Sequence, residues 1–233
     1  MTAPVLAAWG VHLYTALGAA LGFLALEATA SGNYGWAFVA MAVATFIDST
    51  DGTLARRVRV KEILPHFDGA KLDDIVDYLN YVVVPVVLAY HAGLIPRGPT
   101  GLLIGSLPLL ASGYGFCQLD AKTADHFFKG FPSYWNVVVF YFYTLRSAVW
   151  FNVAMLLLFS FLVFVPIRYL YPSKNRTAQR TTYALGGLWG LCMFVLLAQF
   201  PTPSRGLAAV SLFFPIYYVA ISLHLHFRNH ASY

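Results

Sequence analysis

The sequence predicts an all-α fold, a polytopic integral membrane bundle of about eight transmembrane helices. Its composition, its long apolar stretches and the distribution of its Lys and Arg residues support this prediction. Of the 233 residues, 59% are hydrophobic and 11% are charged, whereas a soluble domain has about a quarter charged residues. Because a chain of roughly one domain's length cannot bury such an excess of apolar residues, lipid must solvate most of its surface. This excludes soluble globular and disordered proteins.

A helix needs about 20 mostly apolar residues to cross a bilayer. Eight stretches approach this length, although the fifth is short, and breaks rich in Pro, Gly and polar residues separate them. They cover residues 5–28, 34–57, 70–95, 101–120, 133–148, 150–171, 182–200 and 207–228. The first lacks a preceding basic segment, so we expect a retained span and not a cleaved signal peptide. Because no internal repeat is visible, residues 1–233 are predicted to form a single membrane domain.

The Lys and Arg residues predict the orientation of these stretches. If both termini are cytoplasmic, 12 of the 15 Lys and Arg residues face the cytoplasm, as the positive-inside rule requires. These are Arg56, Arg57, Arg59, Lys61, Lys71, Lys122, Lys129, Arg168, Lys174, Arg176, Arg180 and Arg228. The other three are Arg97, Arg146 and Arg205. The net charge of +5 has two explanations. The basic loops follow the positive-inside rule only, or some of their charges also bind an anionic lipid or a phosphate. No soluble basic domain is present, so we expect no nucleic acid partner.

Acidic residues are concentrated where the second and third stretches meet: seven of the ten lie between residues 48 and 77. Carboxylates in or at the mouth of membrane spans are costly and usually functional. Asp48 and Asp51 are three residues apart, and Asp73 and Asp77 are four apart, so each pair shares one helix face. Asp74 lies about 100° round the helix from Asp73 and is expected to point elsewhere.

These two pairs predict a metal site. A short basic connection makes the two helices antiparallel, which brings Asp48, Asp51, Asp73 and Asp77 to one membrane depth. Four carboxylates would repel one another there unless cations lay between them, and oxygen ligands suit hard divalent ions. Two such ions suit chemistry on a phosphate. The alternative is a structural salt-bridge cluster formed with Arg56, Arg57 and Lys71.

Three residues between the pairs suggest a phosphate-bearing ligand. Gly52 and Ala55 are small enough to let a bulky group approach the helix backbone. Arg56, one turn beyond Gly52, offers a bidentate guanidinium to a phosphate.

Residues 48–77 form the pattern D-x2-D-G-x2-A-R-x12-G-x3-D-x3-D. This closely resembles the signature of the CDP-alcohol phosphotransferase family, in which eight residues usually separate the Arg from the second Gly. Here the spacer, residues 57–68, is four residues longer. Bacterial phosphatidylcholine synthases in that family have a lengthened spacer of this kind. The stretch 127–136, FFKGFPSYWN, is a second resemblance to them.

The resemblance implies transfer of a phosphatidyl group from CDP-diacylglycerol to choline, with release of CMP, in a bacterial inner membrane. It implies two divalent metal ions, Mn²⁺ or Mg²⁺, as cofactors and a homodimer as the family's usual assembly. Asp48, Asp51 and Asp73 would be metal ligands, and Asp77 would lie at the metals beside the acceptor hydroxyl as the general base. The residues expected to bind CDP-diacylglycerol are Gly52, Ala55, Arg56 and Gly69.

Choline recognition is a separate problem, because a trimethylammonium group cannot donate a hydrogen bond. Aromatic faces bind such cations. The candidates are Tyr78, Phe131, Tyr134, Trp135 and Asn136. The alternative is that these aromatic residues form the belt that membrane proteins place at the interface.

Two other functions stay open. Another CDP-alcohol phosphotransferase, making phosphatidylserine or phosphatidylglycerophosphate, would favour Lys and Arg over aromatic residues around its acceptor. A cation transporter would place its carboxylates nearer the middle of the membrane and on several spans.

Overall fold

The computed structural model describes residues 2–120, 127–170 and 179–230, and these residues are mostly helical. The helices are α1 Ala3–Ala30, α2 Tyr34–Val58, α3 Val60–Ile63, α4 Gly69–Asp77, α5 Val84–His91, α6 Pro99–Phe116, α7 Trp135–Leu145, α8 Val149–Leu162, α9 Gln179–Ala198, α10 Arg205–Ser211 and α11 Phe213–His230. A π-helix, Tyr78–Val83, joins α4 to α5 without a break. Two short strands, β1 Phe127–Lys129 and β2 Arg168–Leu170, pair antiparallel.

Every predicted stretch contains a helix or helices in direct succession, which agrees with an all-α membrane fold. Among the described residues, three segments are long and apolar enough to cross a membrane by length and composition. They are Ala3–Ala30, Gln179–Ala198 and Arg205–Arg228. The prediction of about eight spans therefore remains a prediction. Three of the basic residues that predict the orientation, Lys122, Lys174 and Arg176, lie outside the described residues.

The predicted stretch 150–171 is wrong at its C-terminal end. The helix ends at Leu162, and residues 168–170 form strand β2. Pro166 follows the helix end closely, and proline disfavours a helical conformation at the residue before it. The chain instead turns back and pairs Arg168 with Lys129 and Leu170 with Phe127.

Helix α1 holds α4 and the π-helix at close range through two glycines. A Cβ atom at Gly18 would lie 2.5 Å from Cγ1 of Val76, and one at Gly22 would lie 2.7 Å from Cδ2 of Leu79. The buried Asn80 side chain donates a hydrogen bond of 2.9 Å to the carbonyl of Gly18. The small residues of α1 thus allow a backbone approach that fixes the position of the α4 aspartates.

The spacer folds as a compact connection between α2 and α4. Helix α2 ends at Val58, the next residue Arg59 is left-handed with a φ of 57°, and α3 adds one further turn. The Asp68 carboxylate then caps α4 by accepting a hydrogen bond from the backbone N–H of Lys71 at 3.0 Å. The ring of Phe67 lies 4.3 Å from that of His12 on α1. These contacts explain how a longer spacer still returns the chain to the aspartates of α2.

Candidate active site

Three aspartates converge where α2 faces α4. One carboxylate oxygen from each of Asp48, Asp73 and Asp77 lies within 4.8 Å of the other two, and all three residues are half-buried. We call these three residues the aspartate group. Like charges at this separation repel one another, whereas a hard divalent cation is bound by carboxylate oxygens arranged in this way. The residues present therefore fit a metal site, as the spacing predicted.

Asp51 is the fourth predicted ligand and is not part of this group. It is buried, with 5% of its surface exposed. Its Oδ2 accepts a hydrogen bond of 2.7 Å from Oγ1 of Thr15 on α1. The structure thus brings together three of the four predicted ligands, while α1 holds the fourth. A ligand role for Asp51 stays a prediction.

Tyr81 is a site residue that the sequence analysis missed. Its hydroxyl donates a hydrogen bond of 2.7 Å to Oδ2 of Asp48. Such hydrogen bonds to ligating carboxylates orient them, and π-helical segments such as the one containing Tyr81 are frequent at functional sites. Tyr81 follows Asp77 by four residues, the spacing of neighbours on one helix face, and this signal was available in the sequence.

Two of the residues predicted to bind the nucleotide, Gly52 and Arg56, lie towards the C-terminal end of α2. Arg56 is exposed, and its Nη2 donates a hydrogen bond of 2.9 Å to Oγ1 of Thr53. A Cβ atom at Gly52 would lie 3.4 Å from Nη1 of Arg56. Because glycine has no Cβ atom, the guanidinium can lie close to the helix backbone. Arg57 and Lys71, members of the alternative salt-bridge cluster, are exposed as well.

Ala55 and Gly69 lie in packing contacts. Ala55 is half-buried against an apolar cluster between α1 and α3 that includes Val60. A Cβ atom at Gly69 would lie 2.6 Å from Cε1 of His12, so this glycine allows α4 to begin against α1. The structure gives both residues a packing role, and their contact with the nucleotide stays a prediction.

A cavity of about 350 Å³ opens beside Asp77, and we call it the Asp77 cavity. Its walls come from α4, from the end of α6 and the residues after it, from β1 and the segment that joins it to α7, and from Val163 after α8. Its charged, thiol and aromatic side chains are Asp74, Asp77, Phe116, Cys117, Phe128, Lys129 and Phe131. Asp74, which the sequence predicted to point elsewhere, therefore shares this space with Asp77.

Lys129 at the edge of the cavity is engaged in an ion pair. Its Nζ lies 2.7 Å from Oδ2 of Asp120. The hydrogen bond and the positive charge of Lys129 lower the pKa of the Asp120 carboxyl from its usual value. The charge of Lys129 is thus balanced outside the cavity.

Of the five predicted choline-binding residues, Phe131 lines the Asp77 cavity and stacks on Phe159 with ring centroids 4.8 Å apart. Trp135 is fully buried, and its Nε1 donates a hydrogen bond of 2.8 Å to Oγ of Ser112. The Trp135 ring packs edge-on against the Phe131 ring, with ring centroids 5.2 Å apart, and so supports it.

The other three candidates, Tyr78, Tyr134 and Asn136, do not line the cavity. The hydroxyl of Tyr78 donates a hydrogen bond of 2.9 Å to the carbonyl of Leu109. Nδ2 of Asn136 donates one of 3.3 Å to Oγ1 of Thr45. The Tyr134 ring lies 6.2 Å from that of Tyr81, next to the aspartate group. Choline contact by these residues stays a prediction.

With this geometry in place, comparison with known proteins identifies the family. The model of the CDP-alcohol phosphatidyltransferase family matches residues 11–165. The chain belongs to this family. The matched region contains the aspartate group and every wall of the Asp77 cavity.

Several relatives resemble this member of the CDP-alcohol phosphatidyltransferase family over most of its length. A phosphatidylcholine synthase of Legionella pneumophila is 40% identical over 225 residues, which cover 94% of this chain and 88% of that protein. One of Pseudomonas aeruginosa is 36% identical over 216 residues, covering 93% and 90%. One of Legionella bozemanae is 45% identical over 157 residues, covering 67% and 72%.

Proposed function

We propose that this chain is a phosphatidylcholine synthase that transfers a phosphatidyl group from CDP-diacylglycerol to choline and releases CMP. The observation that supports it most directly is the convergence of Asp48, Asp73 and Asp77 within 4.8 Å. These residues belong to the sequence pattern that resembles the family signature. The family's model matches residues 11–165, and relatives named phosphatidylcholine synthase align over most of the chain.

The aspartates hold the cofactor in this proposal. Asp48, Asp51, Asp73 and Asp77 would bind two divalent ions, Mn²⁺ or Mg²⁺. When bound, the ions would neutralise the pyrophosphate and make CMP a better leaving group. The hydrogen bond from Tyr81 holds Asp48 in the orientation it has in the aspartate group.

Each protein group then has a defined task. Asp77 accepts the proton of the choline hydroxyl as that oxygen attacks phosphorus in line. A new P–O bond to choline forms while the P–O bond to CMP breaks, so the transfer is direct and needs no phosphoenzyme. Arg56 stabilises charge on the phosphoryl oxygens. Gly52 leaves room for the CDP group, and Ala55 and Gly69 are the other two proposed contacts of that group.

The proposal extends to the cellular setting. The chain would be a multi-pass protein of the bacterial inner membrane with about eight spans, functioning as a homodimer. Its termini and active site would face the cytoplasm, where CDP-diacylglycerol and choline are both accessible. The distribution of Lys and Arg supports this orientation.

The test is a product analysis with purified protein, CDP-diacylglycerol and a panel of labelled alcohols: choline, serine and glycerol 3-phosphate. We expect phosphatidylcholine and CMP as products, complete loss of activity with excess chelator, and recovery with Mn²⁺ or Mg²⁺. Phosphatidylserine or phosphatidylglycerophosphate as the main product would assign the chain to another activity of the family. Full turnover in excess chelator would contradict the metal site.

A further inference from the structure

The Asp77 cavity has the size of a site for a small molecule. Ligand pockets measure roughly 300–1,000 Å³, so a cavity of about 350 Å³ lies at the small end of that range. The diacylglycerol part of the lipid substrate is far too large for it, whereas a small alcohol fits. Its contact with Asp77 places such an alcohol where its hydroxyl meets the proposed base.

The walls of the cavity are suited to a cation that cannot donate hydrogen bonds. Phe116, Phe128 and Phe131 provide aromatic surface, and aromatic faces attract quaternary ammonium groups. Asp74 adds a carboxylate on the same wall as Asp77. Lys129 is the one cationic side chain among the described residues that line the cavity, and Asp120 balances its charge.

Asp74 and Asp77 have different positions relative to the aspartate group. They are three residues apart on α4, so both face the cavity, but only Asp77 belongs to the group. Asp74 thus places a carboxylate on the wall of the cavity. An acceptor with a carboxylate or a phosphate would meet repulsion there.

We propose that the Asp77 cavity is the acceptor site, that Asp74 is the counter-ion of the choline trimethylammonium group, and that Phe128 and Phe131 provide its aromatic faces. This rests on the proposed function for the identity of the acceptor. It adds Asp74 and Phe128 to the choline-binding residues and gives Trp135 the role of supporting Phe131.

The first experiment compares choline kinetics in two variants with the same change of charge at neighbouring positions of the chain. Asp74→Asn should raise the choline KM by about tenfold or more, because it removes a half-buried partner charge. Its kcat at saturating choline should stay within about threefold of the wild type. In the control, Asp68→Asn, asparagine still caps α4, and the choline KM should not change.

The aromatic wall is tested in the same way. Phe128→Leu should raise the choline KM by about tenfold, the scale of a desolvated cation–π contact. Phe161→Leu is the control, because Phe161 is 65% exposed and does not line the cavity. Equal choline KM values in wild type, Asp74→Asn and Phe128→Leu would overturn the proposal.

A binding assay without turnover separates this proposal from the proposed function. Cys117 is exposed and lines the cavity, so in a Cys192→Ser background maleimide labelling reports on occupancy. With Mn²⁺ and CMP present, choline and tetramethylammonium should slow the labelling of Cys117, whereas serine should not. Asp74→Asn should abolish this protection.

The outcomes are distinguishable. If phosphatidylcholine is made but choline leaves Cys117 labelling unchanged, the acceptor site lies elsewhere and the proposed function stands. If choline protects Cys117 but the enzyme transfers the phosphatidyl group only to another alcohol, the proposed function fails and the quaternary ammonium site remains.

Discussion

Asp77 is the residue that belongs both to the aspartate group and to the Asp77 cavity. Asp77→Asn preserves the size of the side chain but removes its basicity, so turnover should fall by about 10²-fold or more, the scale of general-base removal. Initial rates of CMP release with saturating Mn²⁺ measure this loss. Glu62→Gln, the same chemical change on the exposed helix α3, should retain wild-type turnover. Normal turnover in Asp77→Asn would mean that another group accepts the proton.

Tyr81 is hydrogen-bonded to Asp48, a proposed metal ligand, and should therefore affect metal affinity more than chemistry. Tyr81→Phe removes the 2.7 Å hydrogen bond to Asp48. Loss of such a bond typically costs roughly 10–100-fold in metal affinity or activity. We expect the Mn²⁺ concentration for half-maximal activity to rise, with recovery of kcat at saturating Mn²⁺. Tyr14→Phe is the control, because its hydroxyl bonds to Thr50 and not to an aspartate. An unchanged Mn²⁺ requirement would contradict the positioning role.

At the residue scale, the sequence could predict the contacts that helical spacing alone determines. Asp73 and Asp77 reach Asp48 together because residues four apart share one face of a helix, here the face of α4 that meets α2. Helical spacing also places Asp74, Asp77 and Tyr81 on neighbouring positions of one helix surface. It does not predict which other elements pack there to complete the wall of the Asp77 cavity. Asp51 shows the same limit, because its partner Thr15 is 36 residues away on α1.

At the scale of elements, the segment after β1 forms the cavity wall because several long-range contacts hold it. The backbone N–H of Gly130 donates to the carbonyl of Ile167 at 2.9 Å, and that of Phe131 donates to the carbonyl of Leu162 at 3.0 Å. This pairing could not be predicted from the sequence, since it joins two three-residue strands about 40 residues apart and contradicts a helix through residue 171. The long apolar helices were predictable because each is defined by its own composition.

Gly130 allows the segment after β1 to pack against Val163 and form the wall of the Asp77 cavity. Its φ is +82°, and a Cβ atom there would collide with the carbonyl oxygen of Val163. Gly130→Ala should displace Phe128 and Phe131 and so raise the choline KM. The KM for CDP-diacylglycerol should not change, because we propose that this substrate binds at the metals. Gly93→Ala is the matched control, because Gly93 has a φ of +69° but no neighbour within 4 Å. Equal effects of both variants on choline KM would show that left-handed strain alone, and not the wall, is responsible.

At the scale of the whole molecule, the site lies at one end of the helix bundle. The aspartate group is built from the C-terminal half of α2 and from α4, which begins the continuous helical segment from Gly69 to His91, and the spacer that joins them lies at that same end. The cavity adds the C-terminal end of α6 and the segment that leads into α7. If the helices cross the membrane in alternation, all these elements lie on one side of it. A cation transporter would instead need acidic residues distributed through the depth of the bilayer.

Cysteine accessibility tests this arrangement. In a Cys117→Ser, Cys192→Ser background, we expect a membrane-impermeant maleimide to label Ser31→Cys and Thr202→Cys in intact cells. Both positions are exposed and lie in loops that eight alternating spans place outside the cytoplasm. His66→Cys, exposed in the spacer, should react only after the membrane is permeabilised. The physical reason is that five basic residues around the spacer, at positions 56, 57, 59, 61 and 71, retain that end in the cytoplasm. Labelling of His66→Cys alone in intact cells would indicate the opposite orientation. Labelling of both Ser31→Cys and His66→Cys would show that α2 does not span the membrane.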